Sequence, residues 1–244
     1  EQRATWEAIY DKKNEEFLKN PSVGKDLLRW KYQRYVKEYC RTIRSVDEQV
    51  GRLLDYLEEK GVLDNTVIVY TSDQGFLLGE HGLYDKRFMY EESFRTPLII
   101  SCPSLVKKHS VCKELVQNID LAPTFLSLAG VEVPKEMSGR SLLPLFKNGK
   151  AENWRNELYY HFYDYPAVGS VRKHDGIRTK RYKLIHWHGE GSGNDEAIDF
   201  WELYDLKKDV MEVNNVYDNP KYVKVREALT VQLEKLRKDV GVTE

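Results

Sequence analysis

Thr66–Pro97 reads TVIVYTSDQGFLLGEHGLYDKRFMYEESFRTP. Val67, Ile68, Val69 and Tyr70 form an apolar run of strand length that leads straight into Asp73 and Gln74. An oxygen-donor pair at the carboxyl end of a core strand is where an open α/β sheet places its ligands. A carboxylate beside an amide supplies the hard oxygens that Ca²⁺ or Mg²⁺ takes. An aspartate that only caps the turn Asp-Gln-Gly accounts for the same residues, so both readings stand. Further on, Lys86 between Asp85 and Arg87 has the length and charge to grip an oxyanion, or is a solvated surface lysine. His81, in Gly-Glu-His-Gly, is a candidate ligand or proton donor, or a loop histidine held by a structural hydrogen bond. Glu91, Glu92 and Arg95 have the spacing of ion pairs on one helical turn.

The 244 residues suffice for one large domain, or for a medium domain with a small one. With 41% hydrophobic and 12% aromatic residues the chain can bury a core, which excludes intrinsic disorder. A net charge of -1 leaves no global field to draw in nucleic acid or an anionic membrane. The apolar runs 67–70 and 97–102 are far too short to span a bilayer. Cys40, Cys102 and Cys112 have neither a metal spacing nor a disulfide pattern. The chain opens on a polar, helix-leaning segment without an initiator methionine or a first strand. A natural N-terminal part is therefore expected to precede it.

Upstream of the opening stretch, Leu28, Tyr32, Tyr35, Tyr39, Ile43, Val46, Val50, Leu53 and Leu57 recur at helical spacing and Gly61 follows as a stop. This predicts a long amphipathic helix with a core-facing stripe. Pro97–Cys102 is apolar throughout, as a central strand covered on both faces would be, and Val111–Val116 reads as an edge strand. Asp120 is expected to cap a short helix through Ala129, and 138–149 to hold a loop and one short helix. Beyond Lys150, β-patterned runs at 158–163, 176–179, 182–187 and 201–204 predict an antiparallel meander, with 189–194 as a loop tip. A last helix starts with Asn219 as cap and Pro220 at its first position, and stops at Gly241. Two parts are expected: an α/β portion over 1–150 and a small α+β subdomain over 151–244.

Together, these signals resemble one family. The order apolar strand, Asp73-Gln74-Gly75, loop, Lys86-x-x-x-Tyr90-Glu91-x-x-x-Arg95-x-Pro97, apolar strand is similar to the second half of a type I sulfatase catalytic domain, in the alkaline phosphatase superfamily. The resemblance extends to Asp120-Leu-Ala-Pro-Thr-Phe-Leu-x-Leu-Ala-Gly130 and Gly139-Arg-Ser-Leu-Leu-Pro144. Gly176-Ile-Arg-Thr179, Tyr182-Lys-Leu-Ile185 and Trp201-Glu-Leu-Tyr-Asp-Leu206 resemble the C-terminal subdomain of bacterial carbohydrate sulfatases. The fold implied is α/β: part of an alkaline-phosphatase-like mixed sheet flanked by helices, plus a small antiparallel sheet with a packed helix. The activity implied is removal of sulfate from a sulfated sugar or glycan such as a glycosaminoglycan. By the same resemblance Asp73 and Gln74 bind a divalent metal, Ca²⁺ in most such enzymes, and Lys86 is the catalytic lysine that holds a sulfate oxygen. His81, His174, Arg178 and Tyr165 are the candidates for touching the sugar. Export to the periplasm or beyond is the habit of the family.

The chain departs from the family pattern in respects that bear on chemistry: it lacks the early Asp-Asp metal pair and the acid histidine of the family, a histidine near Gly169 and Ser170, and the source of the nucleophile. The formylglycine of these enzymes is made from Cys or Ser in Cys/Ser-x-Pro/Ala-x-Arg, and no such motif occurs here. In Cys102-Pro103-Ser104 the proline follows the cysteine directly and no arginine comes after. The nucleophile and its partners are expected on an N-terminal catalytic half, and this chain alone is expected to be inactive. Two alternatives share the residues present: a phosphodiesterase or phosphonate hydrolase of the same superfamily, and a non-catalytic relative that binds sulfated glycans.

Overall fold

Strand β1, Ile68–Thr71, pairs antiparallel with β2, Leu98–Ser101, with Ile68 opposite Ser101 and Thr71 opposite Leu98. The computed structural model describes residues 17–166, 171–191 and 196–242, together with 4, 8, 14 and 15. It divides into two units: Glu1–Leu63 with Leu78–Leu83, and Asp64–Leu77 with Tyr84–Glu244.

In the first unit a single unbroken helix, α1, runs over Gly24–Glu59. It stops where the periodicity predicted: Gly61 takes a left-handed φ of 66° and Val62 N–H returns to the Leu57 carbonyl. The core-facing stripe is not realised. Among the described residues no side chain of α1 is buried, and Leu28, Ile43 and Leu53 are exposed. The spacing correctly reports an amphipathic helix, but an apolar stripe is buried only where another element lies on it. No described helix is long and apolar enough to cross a membrane.

In the second unit, β2 corrects a further expectation. It belongs to a two-stranded ribbon, and its alternation leaves Ile99 63% exposed rather than covered on both faces. The other side of the strand is covered, because Leu98 and Ile100 pack on Leu142, Leu145 and Phe146, the last two from the short helix Leu143–Phe146. Val111–Val116 forms no strand. Val111 is exposed, and the Leu115 carbonyl accepts from the Trp154 indole (2.8 Å) instead of from a ladder partner. Asp120 stands at the start of the helix Leu121–Leu128, but its carboxylate does not cap it. It accepts instead from Gln117 N–H (2.8 Å), Arg140 N–H (2.8 Å) and the Arg155 guanidinium.

The meander is present as predicted. Strands β3 (Glu157–Phe162), β4 (His174–Thr179), β5 (Tyr182–Gly189) and β6 (Ile198–Asp205) form an antiparallel sheet in sequence order. Part of the predicted loop tip at 189–194 lies outside the described residues. One face of the sheet is covered by the last helix, Val223–Asp239, whose Leu229 and Leu233 pack on Ile177, Leu184 and Leu203. Asn219 caps the 3₁₀ turn Pro220–Tyr222 that leads into this helix, its Oδ1 accepting from Lys221 N–H (3.0 Å). The opposite face receives the segment after Lys86. Met89 is buried there with Ile185, Trp187 and Tyr204, and Phe88, Tyr90 and Phe94 pack around them. Gly176 permits this approach, since a Cβ there would lie 2.6 Å from the Met89 sulfur.

Candidate functional site

Where β1 ends, the chain is braced from three sides. Ser72 Oγ donates to the Gln74 carbonyl (2.9 Å), and Gln74 N–H donates to Asp73 Oδ1 (3.0 Å). Asn118 Nδ2 donates to the Asp73 carbonyl (2.9 Å) and reaches the Ser72 carbonyl at 3.3 Å. Gly75 N–H and Phe76 N–H donate to the carbonyls of Ser93 (2.8 Å) and Glu92 (2.6 Å). The backbone polar groups of this turn are thus satisfied internally, while the Asp73 side chain remains exposed. Asp73, Gln74, Lys86 and Arg178 line one groove together with Asn118 and Arg140.

Lys86 is half-buried between two residues with left-handed backbone: Asp85 at φ 95° and Arg87 at φ 85°. Such conformations cost about 1–3 kcal/mol each for non-glycine residues and persist only where the surroundings impose them. Here Arg87 pairs with Asp85 (2.5 Å), and the Tyr160 hydroxyl donates to the Arg87 carbonyl (3.3 Å). The lysine therefore projects from a backbone fixed on either side of it.

The four sugar-contact candidates are placed differently. Arg178 reaches the groove but is engaged with Glu91, through Nε (3.3 Å) and Nη2 (3.2 Å). His174 and Tyr165 do not line the groove. His174 has no solvent exposure; its Nδ1–H donates to the Arg172 carbonyl (2.8 Å) and its ring stacks on Trp187 at 4.2 Å. Burial pushes its pKa down to about 4. Tyr165 is half-buried beneath the Arg172 guanidinium, 4.8 Å from its ring centre. His81 belongs to the first unit, half-buried at a left-handed φ of 54°.

A family model described as "Sulfatase" matches residues 3–131, and one described as "N-sulphoglucosamine sulphohydrolase, C-terminal" matches residues 79–239. The chain is 49% identical to an N-acetylglucosamine-6-O-sulfatase of Bacteroides thetaiotaomicron, over 96% of this chain and 41% of that protein. It is also similar to the solved structure of BT4656 in complex with its substrate D-glucosamine-2-N,6-O-disulfate. There the TM-score is 0.88 at 49% identity, covering 96% of this chain and 46% of the other. A more distant relative is the multifunctional alkaline phosphatase superfamily protein PehA of Trinickia caryophylli, 35% identical over 75% of this chain and 36% of that protein. The chain belongs to the sulfatase family.

This sulfatase chain spans less than half the length of the relatives it matches. Sulfatases use a divalent metal, and the donor set at the end of β1 suits one: a carboxylate and an amide, both oxygen ligands. A second cluster in the chain has metal-like composition. Donor atoms of Asp175, His186 and His188 lie within 4.8 Å of one another. Its centre already holds a cation, because Arg237 Nη2 donates to Asp175 Oδ1 (2.6 Å) and His186 Nδ1 (2.9 Å), and Nε to Asp175 Oδ2 (2.6 Å). We read this cluster as a buried ion pair of the sheet. Asn118 and Lys183 were not singled out from sequence. Asn118 carries no local signal, whereas Lys183 interrupts the inward row it shares with Ile185 and Trp187 on β5.

Proposed function

We propose that this chain supplies part of the pocket of a sulfuric ester hydrolase acting on a sulfated carbohydrate, with a 6-sulfated glucosamine as the favoured substrate class. The observation that carries this is that Asp73 and Gln74, just after β1, and Lys86 border the same wide, open groove. Asp73 and Gln74 would hold the divalent metal with their hard oxygens, and Ca²⁺ is the ion that the family resemblance favours. When bound, the metal supplies positive charge against the sulfate oxygens. Lys86 adds a compact point charge to the same group and steadies it as negative charge grows on the leaving oxygen. The braced backbone on both sides of Lys86 keeps that charge in place before substrate arrives, which is what makes such stabilisation effective.

The reading includes an N-terminal catalytic half that carries the formylglycine and the remaining metal ligands, and export from the cytoplasm. It divides this chain into a catalytic portion over 1–150 and a small subdomain over 151–244 that borders the substrate. The exposed apolar positions on α1 and at Ile99 suit burial against such a half.

The test uses the full polypeptide that carries this sequence. Lys86→Ala should lower kcat/KM on an aryl sulfate by about 10²–10³-fold with little change in thermal midpoint. Asp73→Ala should abolish calcium binding measured by calorimetry. Near-normal turnover in Lys86→Ala would remove that residue from the site. Faster turnover of an aryl phosphonate by the unaltered enzyme would replace the sulfatase reading with the phosphonate hydrolase. Binding of sulfated glucosamine without turnover of either ester would favour the non-catalytic relative.

A further inference from the structure

The segment from Lys86 to Phe94 lies between the Asp73–Gln74 turn and the four-stranded sheet, and its tie to the sheet runs through a lysine with no solvent exposure. Lys183 Nζ lies 2.6 Å from the Met89 carbonyl, 2.7 Å from Glu212 Oε1 and 2.9 Å from Glu91 Oε1. The ammonium donates to the Met89 carbonyl, and the two carboxylates stand within ion-pair distance of it. Glu212, itself buried, uses its other oxygen to accept from Glu91 N–H (2.6 Å) at the start of the short helix Glu91–Phe94. Glu91 also receives the Arg178 fork. Two cations and two carboxylates thus meet in one network, with Lys183 and Glu212 fully buried and Glu91 and Arg178 at its edge on the groove. Burial alone would raise the Glu91 pKa, yet Lys183 and Arg178 hold it below the usual carboxylate value.

Buried ion pairs contribute little net stability compared with a well-packed apolar core. What this one does is geometric. Met89 is three residues from Lys86. The Ser93 and Glu92 carbonyls, on the same short segment, accept from Gly75 and Phe76 just beyond Gln74. One end of the segment therefore carries the anion-gripping lysine, and the other braces the metal pair.

We propose that Lys183 is a positioning residue: through Glu91, Glu212 and the Met89 carbonyl it sets the place of both Lys86 and the Asp73–Gln74 turn. This rests on the functional reading of those three residues. It differs from a purely stabilising role in predicting a loss of ligand affinity in protein that remains folded.

The experiment uses the full polypeptide with Lys183→Met, Glu212→Gln and the two combined, with Arg237→Met as comparator. Calorimetry gives affinities for calcium and for inorganic sulfate, and kinetics give kcat and KM separately. Each folded Lys183 or Glu212 variant should bind sulfate and calcium about 10- to 100-fold more weakly, the range seen when partners of site residues are removed. Arg237→Met breaks another buried ion pair of the same sheet and should lower the thermal midpoint while leaving both affinities unchanged. Wild-type affinities in folded Glu212→Gln or in the double variant would overturn the proposal. So would equal losses in Arg237→Met, or a set of variants of which none folds, since either result means the network is only structural. Lys86→Ala and Asp73→Ala are measured alongside. If those two retain normal sulfate and calcium binding, the site reading itself has failed. If they lose binding while the Lys183 variants keep it, only the positioning role falls.

Discussion

A Cβ on Gly75 would stand 2.1 Å from the Glu92 carbonyl oxygen and 2.8 Å from that of Arg95, so only glycine lets the turn after Gln74 meet the segment after Lys86. Both obstacles are backbone and cannot rotate away. Gly75→Ala should therefore cost about 1–3 kcal/mol, as overpacking does, and weaken calcium binding by moving Asp73 and Gln74. Urea midpoints and a calcium titration of the full polypeptide check this, and unchanged values would mean that the two segments separate freely. At this scale the sequence was unevenly informative. Asp73, Gln74 and Lys86 each had a plainer reading alone, as turn cap or surface lysine, and stood out only through the family resemblance; the structure places all three along one groove. The two left-handed residues beside Lys86 were not legible, because neither Asp85 nor Arg87 is a residue that demands positive φ. Lys183 was hidden for a related reason: a lysine in a strand reads as solvent-facing until its carboxylate partners, Glu91 and Glu212, are brought to it from distant parts of the chain.

Elements were legible where their signals are local, and misread where burial depends on a neighbour. The helix over Gly24–Glu59 and the last helix over Val223–Asp239 follow their periodicity to within a few residues. The stripe on the first finds no cover among the described residues, whereas that on the second packs against a sheet formed from residues just before it. Val111–Val116 has the β-branched ends of a strand but no partner edge, so its backbone bonds go elsewhere. The contrast makes the last helix the better place to probe stability. Leu233 has no solvent exposure and sits in the cluster of Ile177, Leu184 and Leu203. Leu233→Ala should lose about 2–5 kcal/mol from the transferred surface and the cavity left behind. Leu53→Ala, on the exposed stripe, should cost under about 0.5 kcal/mol if that face stays open. Thermal midpoints of the two variants in the full polypeptide separate the cases, and a large loss at Leu53 would show that another part of the polypeptide lies on α1.

Across the whole molecule, acid should act on the sheet before it acts on the fold as a unit. His174 titrates at about 4 in the folded chain because burial disfavours the imidazolium, against about 6.5 for an exposed histidine. Between those values the unfolded chain takes up a proton that the folded chain refuses. The stabilisation is therefore complete above pH ~6.5 and is lost as pH falls toward ~4, by about 3 kcal/mol in all. His161 and His186 are lowered in the same direction, chiefly by burial, and steepen the same step. Asp175 behaves oppositely in origin. Burial would raise it, but the hydrogen bonds from Arg237 and His188 leave it well below the usual carboxylate range. Its contribution is present above pH ~3.8 and disappears only at lower pH, as a second step. None of this was readable from the histidines in sequence, where His174 stood as a sugar contact; its stacking on Trp187 exists only once β4 and β5 are paired. Urea midpoints measured from pH 8 to pH 4 should fall for the wild type and fall less for His174→Phe, which keeps an aromatic ring against Trp187 and has no proton to gain. If both proteins lose stability in parallel over that range, the buried imidazole is not the group being titrated, and His161 and His186 carry the step.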